Sequence, residues 1–126
     1  MSAKIKLAVG ACVLVASAIA FPDAHADAQR GKALYAGLCS GCHHTDINRT
    51  GPMHRGVVGR RVGGLKSFRY SPALKSSKLV WNEKLLAKWL ANPEALIPGQ
   101  DMGYSVANAQ DRADLIDYLT TLKAKR

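Results

Sequence analysis

Residues 39 to 43 read Cys39-Ser40-Gly41-Cys42-His43, and C-x-x-C-H is the attachment signature of a c-type haem. Thiols at this spacing can each form a thioether with one vinyl edge of the same porphyrin, and the next residue, His43, then sits beneath the iron as an axial ligand. A chain carrying this motif has to fold around a rigid apolar plate. The rest of the sequence must therefore supply a second axial ligand, polar partners for the propionates and an apolar pocket.

The N-terminal segment is read separately. Lys4 and Lys6 precede an uncharged apolar run from Leu7 to Phe21, and Ala24-His25-Ala26 follows as an A-x-A cleavage signature. This is the pattern of a secretory signal peptide over residues 1–26, with one domain over 27–126 and export to the periplasm. The apolar run is 15 residues long, short of the roughly 20 that a spanning helix needs, which disfavours an uncleaved anchor. Cleavage at Cys12, as in a lipoprotein, would leave Val13 to Phe21 exposed.

Export also bears on the cysteines. Cys12 leaves with the leader, so the domain keeps Cys39 and Cys42. A disulfide between them is conceivable in an oxidising compartment. A thioredoxin-like redox pair would need a βαβ setting that is missing here. Zinc would need further ligands at suitable spacing, whereas His43 and His44 are adjacent and no second C-x-x-C follows.

The full chain carries 18 Lys and Arg against 9 Asp and Glu. Losing Lys4, Lys6 and Asp23 with the leader leaves 16 basic and 8 acidic side chains, a formal +8 that the propionates reduce by up to about two. Such a surface favours acidic protein partners and is compatible with peripheral contact with anionic membranes. Nucleic acid is not an expected partner of an exported haem protein. The domain is small, with a limited core, so a buried macrocycle would add apolar surface for it to fold around.

Periodicity predicts helices and long loops without strands. Asp27 to Leu38 reads as a first helix, with Leu34 and Leu38 on one face and Gly31 in its interior. Residues 44–70 show no period and contain five glycines and six positive side chains. A loop wrapped around a haem edge accounts for such length. Ser71-Pro72 reads as an N-cap and N1 proline opening a short helix. Asn82 starts another, whose Leu85/Trp89 and Leu86/Leu90 pairs form a stripe, ended by Pro93. Pro93 to Ala107 reads as a second loop. Asn108 caps a final helix to about Lys123, where Lys123, Lys125 and Arg126 suit the C-terminal dipole. Met102 is the best second ligand, because it lies in a Pro- and Gly-bearing loop and not on a helix stripe. Met53 is its rival, but lies only ten residues beyond His43, a short path around the porphyrin rim.

Across nearly all of the domain the chain resembles the class I cytochromes c, of the mitochondrial-like and bacterial c2 type. The matching stretches are Gly51-Pro52, Gly56-Val57-Val58-Gly59-Arg60, Phe68-Arg69-Tyr70-Ser71, Trp81, Asn92-Pro93, Ile97-Pro98-Gly99-Gln100-Asp101-Met102 and Arg112-Ala113-Asp114-Leu115-Ile116-Asp117-Tyr118-Leu119. The resemblance implies an all-α class I cytochrome c fold, three to five helices with long loops around one covalent haem c (heme c) and its iron. Cys39 and Cys42 would carry the thioethers, with His43 and Met102 as axial ligands. The Pro52 carbonyl would accept a hydrogen bond from the His43 ring. Arg60, Tyr70 and Trp81 would donate toward a buried propionate, and Trp89 would sit near Met102. Gly31 and Tyr35 would pack against Leu115 and Tyr118. On composition alone, Tyr70, Trp81 and Trp89 read as core aromatics and Arg60 as a solvated charge; only their register with the family motif lifts them. The sequence departs from the mitochondrial pattern at His54, where Leu is usual, at Asp101, where Lys is usual, and at Tyr104, where Phe is common. His44 is expected at the surface.

The implied function is one-electron transfer between redox proteins by a monomer, without catalytic residues, since both axial positions are filled from the chain. Two other readings stay open: a haem enzyme or gas sensor with a labile Met102 bond, and a dedicated haem subunit of a dehydrogenase complex.

Overall fold

Asp27 begins the ordered fold twice over. Its carboxylate accepts from the backbone N–H groups of Gln29 and Arg30, capping α1 (Ala28–Leu38), and its own N–H donates to Asp114 Oδ1 at 2.9 Å. The computed structural model describes residues 25–125, so most of the leader expected over residues 1–26 lies outside the described residues. The helices that follow are α2 (Pro72–Ser76), α3 (Glu83–Ala91), α4 (Pro93–Leu96) and α5 (Ala109–Thr121). Among the described residues there is no strand, only an isolated antiparallel bridge between Arg61 and Val80. The expected all-α architecture is therefore the observed one.

The packing follows from caps and stripes. Asn82 accepts from Leu85 N–H to start α3, which buries Leu86, Trp89 and Leu90. Their i, i+3, i+4 spacing makes one apolar face. Asn108 caps α5 through Asp111 N–H, and α5 buries Leu115, Ile116 and Leu119. α1 and α3 both pack on α5. The α1–α5 contact is backbone-close at Gly31, where a Cβ would meet the Asp114 carbonyl oxygen at 1.9 Å and Tyr118 Cβ at 2.9 Å. Gly31 therefore lets the helices touch, and its helix-propensity cost of about 1 kcal/mol is offset by that packing. Beside it, buried Asp114 binds Arg30 and accepts from Gln110 Nε2 at 2.9 Å.

The structure corrects three expectations of detail. The stretch after Pro93 is not wholly loop: Asn92 accepts from Ala95 N–H and Pro93 occupies the first turn, so α4 forms before the chain leaves at Ile97. α5 ends at Thr121, with no basic residue in its last turn. Lys125 pairs with Asp46 at 3.0 Å and so ties down the 44–70 segment. His44 is half-buried, because its Nδ1 accepts from Asp46 N–H at 3.0 Å.

The long segment 44–70 is held by the protein itself. Val62 N–H donates to Leu79 O at 2.9 Å and Trp81 N–H to Arg60 O at 2.9 Å, while Gly56 N–H reaches Leu122 O at 2.6 Å. Gly63 makes one of its turns at φ 66, where a Cβ would also strike Leu74 O at 2.3 Å. Only glycine fits such a position without strain.

Candidate functional site

The C-x-x-C-H segment coils directly off the end of α1. Cys39 is the C-cap and donates to Tyr35 O. His43 N–H then donates to Cys39 O at 2.9 Å, and Gly51 N–H returns to Cys42 O at 2.8 Å. The return brings Gly51-Pro52 against the His43 ring. His43 Nδ1 lies 2.8 Å from the Pro52 carbonyl oxygen. A carbonyl only accepts, so Nδ1 carries the proton and Nε2 presents a lone pair, the arrangement of a neutral metal-binding imidazole. Burial pushes the His43 pKa down, against the opposing pull of Pro52.

Gly51 sits over the ring. A Cβ there would stand 2.2 Å from Cε1 and almost equally far from Nδ1 and Nε2, at 2.6 and 2.7 Å, which places Gly51 above a ring face. His54 stacks on the same imidazole with centroids 4.1 Å apart and planes 21° apart. The two cannot share a face, so His43 is enclosed between them. His54 Nδ1 is in turn joined to the Tyr35 hydroxyl by a hydrogen bond of 3.0 Å. Burial first, then the charges of His43 and Arg60, push the His54 pKa down to about 3. His54 is neutral at pH 7.

Cys39 and Cys42 are both unpaired thiols, half-buried and exposed respectively. Burial raises the Cys39 thiol to about 11. No group of three His, Cys, Asp or Glu side chains able to hold a metal ion occurs among the described residues. Two free thiols beside an imidazole lone pair are the donor set for a tethered haem. Gln100 Oε1, on the loop leading to Met102, adds a buried polar atom without a protein partner among the described residues. Such an orphan is rare unless a further group completes it. The residues present fit the group.

The other candidates fall in three places. Met102 is half-buried in the coil after α4 and packs against the core. Trp81 and Trp89 are buried and meet edge to face, with centroids 5.3 Å apart. Arg60 is neither a solvated charge nor free: it donates to Met53 O at 2.8 Å and to Arg55 O. Burial lowers its pKa, against the pull of Tyr70 beside it. Tyr70 packs edge-on to Phe68 at 4.9 Å. Met53, the rival ligand, has its N–H on Asn48 Oδ1 at 3.0 Å, in the loop that carries Pro52. Sequence reading missed the part played by His54. The available signal was a histidine where the resemblance to mitochondrial forms implies leucine.

Comparison with known proteins gives a consistent result. The family model described as Cytochrome c matches residues 28–123. Cytochrome c of Euglena viridis is 40% identical over 100 residues, covering 77% of this chain and 98% of that protein. Cytochrome c2 of Rhodomicrobium vannielii is 40% identical over 121 residues, covering 93% of this chain and 94% of that protein. Among solved structures, cytochrome cH from Methylobacterium extorquens superposes with a TM-score of 0.71 at 37% identity, covering 75% of this chain and 98% of that one.

Proposed function

The chain belongs to the cytochrome c family, and on that premise we propose that it is a diffusible periplasmic one-electron carrier working between redox enzymes of an electron-transport chain. It binds covalent haem c with its iron, as the family does. When bound, the haem supplies an iron that takes up and releases one electron; a Met axial ligand raises its potential.

The residues of the chain do the rest. Cys39 and Cys42 would tether the group, and His43, with Nδ1 held by Pro52, would offer Nε2 to its iron. Met102 would supply a second ligand. Pro52 fixes the tautomer and basicity of His43. Arg60, Tyr70 and Trp81 would donate toward a propionate, since a carboxylate out of water needs pairing. Trp89 belongs to the apolar cluster against which Met102 packs. With both His43 and Met102 bound to the iron, the protein would leave no open position for a substrate, which favours electron carriage over catalysis. The observation that carries this reading is the fixed imidazole beside two unpaired thiols, with Nδ1 on Pro52 and Nε2 free.

Periplasmic location rests on the leader pattern of residues 1–26. The match to the Rhodomicrobium protein covers 93% of the chain and so extends into that segment. The partners are redox proteins with acidic docking surfaces, met by a monomer. Arg49, Arg61, Lys66, Arg69, Lys75 and Lys78 are exposed cations, while exposed Asp101 adjoins Met102 in sequence. Steering by such charge raises association rates.

The test is voltammetry and CO exposure of protein purified from the periplasm of cells able to mature c-type cytochromes. The proposal expects one reversible one-electron wave and no CO complex at neutral pH. Rapid CO binding to the reduced protein would instead place it among haem sensors or enzymes.

A further inference from the structure

His54, where the resemblance to mitochondrial forms implies leucine, has two aromatic partners in the structure. His54 stacks on His43 at 4.1 Å and bonds the Tyr35 hydroxyl at 3.0 Å. Tyr35 is buried in α1 and packs edge-on to Tyr118 of α5 at 5.3 Å. A continuous path therefore runs from the α1–α5 interface, through one hydrogen bond, to the face of the candidate axial imidazole.

We propose that His54, oriented by the Tyr35 hydroxyl, is a positioning residue that sets the rotation of the His43 ring plane about its bond to iron. This rests on His43 being the axial ligand. The Pro52 carbonyl holds the ring at one point, Nδ1, and one in-plane hydrogen bond leaves the ring able to rock about that contact. Gly51 closes one face only, as a backbone without a side chain. The second face is the one a leucine would cover with rounded, rotatable methyl groups. A flat ring at 21° to His43 restricts that rocking further, provided its own rotation is fixed. The Tyr35 hydroxyl supplies that restraint. Acting through another side chain, His54 is not itself a ligand.

The ring plane of an axial imidazole sets the pattern of haem-methyl hyperfine shifts in the oxidised protein, a quantity that mere folding stability leaves alone. The experiment is paramagnetic NMR of the intact holoprotein and of His54→Leu, Tyr35→Phe and the double variant. Tyr35→Phe removes one oxygen atom and keeps the ring, so it remains informative where His54→Leu folds poorly. The expected result is a changed order or spread of the methyl shifts in both single variants. The double variant should match His54→Leu alone, because Tyr35 acts through His54. Single-variant patterns superimposable on the parent pattern overturn the proposal while leaving the ligand reading intact. Absence of hyperfine-shifted His43 resonances from the unsubstituted holoprotein overturns the ligand reading itself, and this inference with it.

Discussion

Replacing Gly51 with alanine tests whether the candidate ligand is as tightly enclosed as its geometry indicates. Gly51 does not adopt a positive φ, so alanine is acceptable to the backbone and the effect isolates a steric contact. The new methyl would stand 2.2 Å from His43 Cε1. Ordinary contact begins near 3.4 Å, so the ring must retreat by about 1.2 Å. Retreat leads toward His54, whose centroid is 4.1 Å away, and would compress the stack to about 2.9 Å. That separation is not available to two rings, so His54 must also shift, at the expense of its bond to Tyr35. Overpacking of this kind costs about 1–3 kcal/mol, and one lost hydrogen bond adds about 0.5–1.5 kcal/mol. The expected destabilisation is roughly 1.5–4.5 kcal/mol, or a fall in Tm of at least about 6 °C for a domain of this size. Gly37→Ala is the control. Gly37 lies in α1, and a Cβ there would meet nothing within 4 Å, so the substitution should stabilise by about 0.8–1 kcal/mol. Thermal unfolding of the holoproteins, followed by circular dichroism and Soret absorbance, reads both. A Gly51→Ala variant as stable as the parent would refute the enclosed-ring account.

Two further outcomes follow from charge. Asp114→Ala removes the acceptor shared by Asp27 N–H, Gln110 and Arg30; with Arg30 half-exposed, the expected loss is about 1–3 kcal/mol in denaturant titration. Burial alone would raise the Asp114 pKa, but Asp27, Gln110 and Arg30 outweigh it and hold the carboxyl below its usual value. A folded pKa below the unfolded one of about 3.9 gives stability that is complete above the unfolded value and is lost as pH falls from there through the folded pKa, so the variant should show a flatter acid limb below about pH 5. Reduction by a small, multiply charged anionic reductant should slow as ionic strength rises, measured by stopped flow across the range where the Debye length shrinks from about 30 to 10 Å. A rate that rises with salt would mean that acidic groups such as Asp101, not the exposed cations, govern approach.

Caps and stripes made most of the fold legible in the sequence. Asn82, Asn108 and Ser71-Pro72 announced helix starts because their chemistry is local, and Leu86, Trp89 and Leu90 share a face by spacing alone. The short helix α4 was not legible, since four residues carry too little period to stand out beside a proline. Asn92, closing one helix and capping the next, was the available sign. Segment 44–70 showed no period because its order comes from long-range bonds to Leu79, Trp81 and Leu122, which no local pattern encodes. The site divides in the same way. Cys39, Cys42 and His43 are contiguous and readable. Arg60, by contrast, is one arginine among many until the fold turns its guanidinium onto the carbonyls of Met53 and Arg55. His54 meets His43 and Tyr35 only in three dimensions.

The central claim is an iron held between His43 and Met102. Its most direct test is the far-red sulfur-to-iron charge-transfer band of the oxidised protein, recorded for the parent chain, Met102→Ala and Met53→Ala. The account predicts a band in the parent chain, its loss in Met102→Ala and its retention in Met53→Ala. A band that survives removal of Met102, or disappears with Met53, would contradict it.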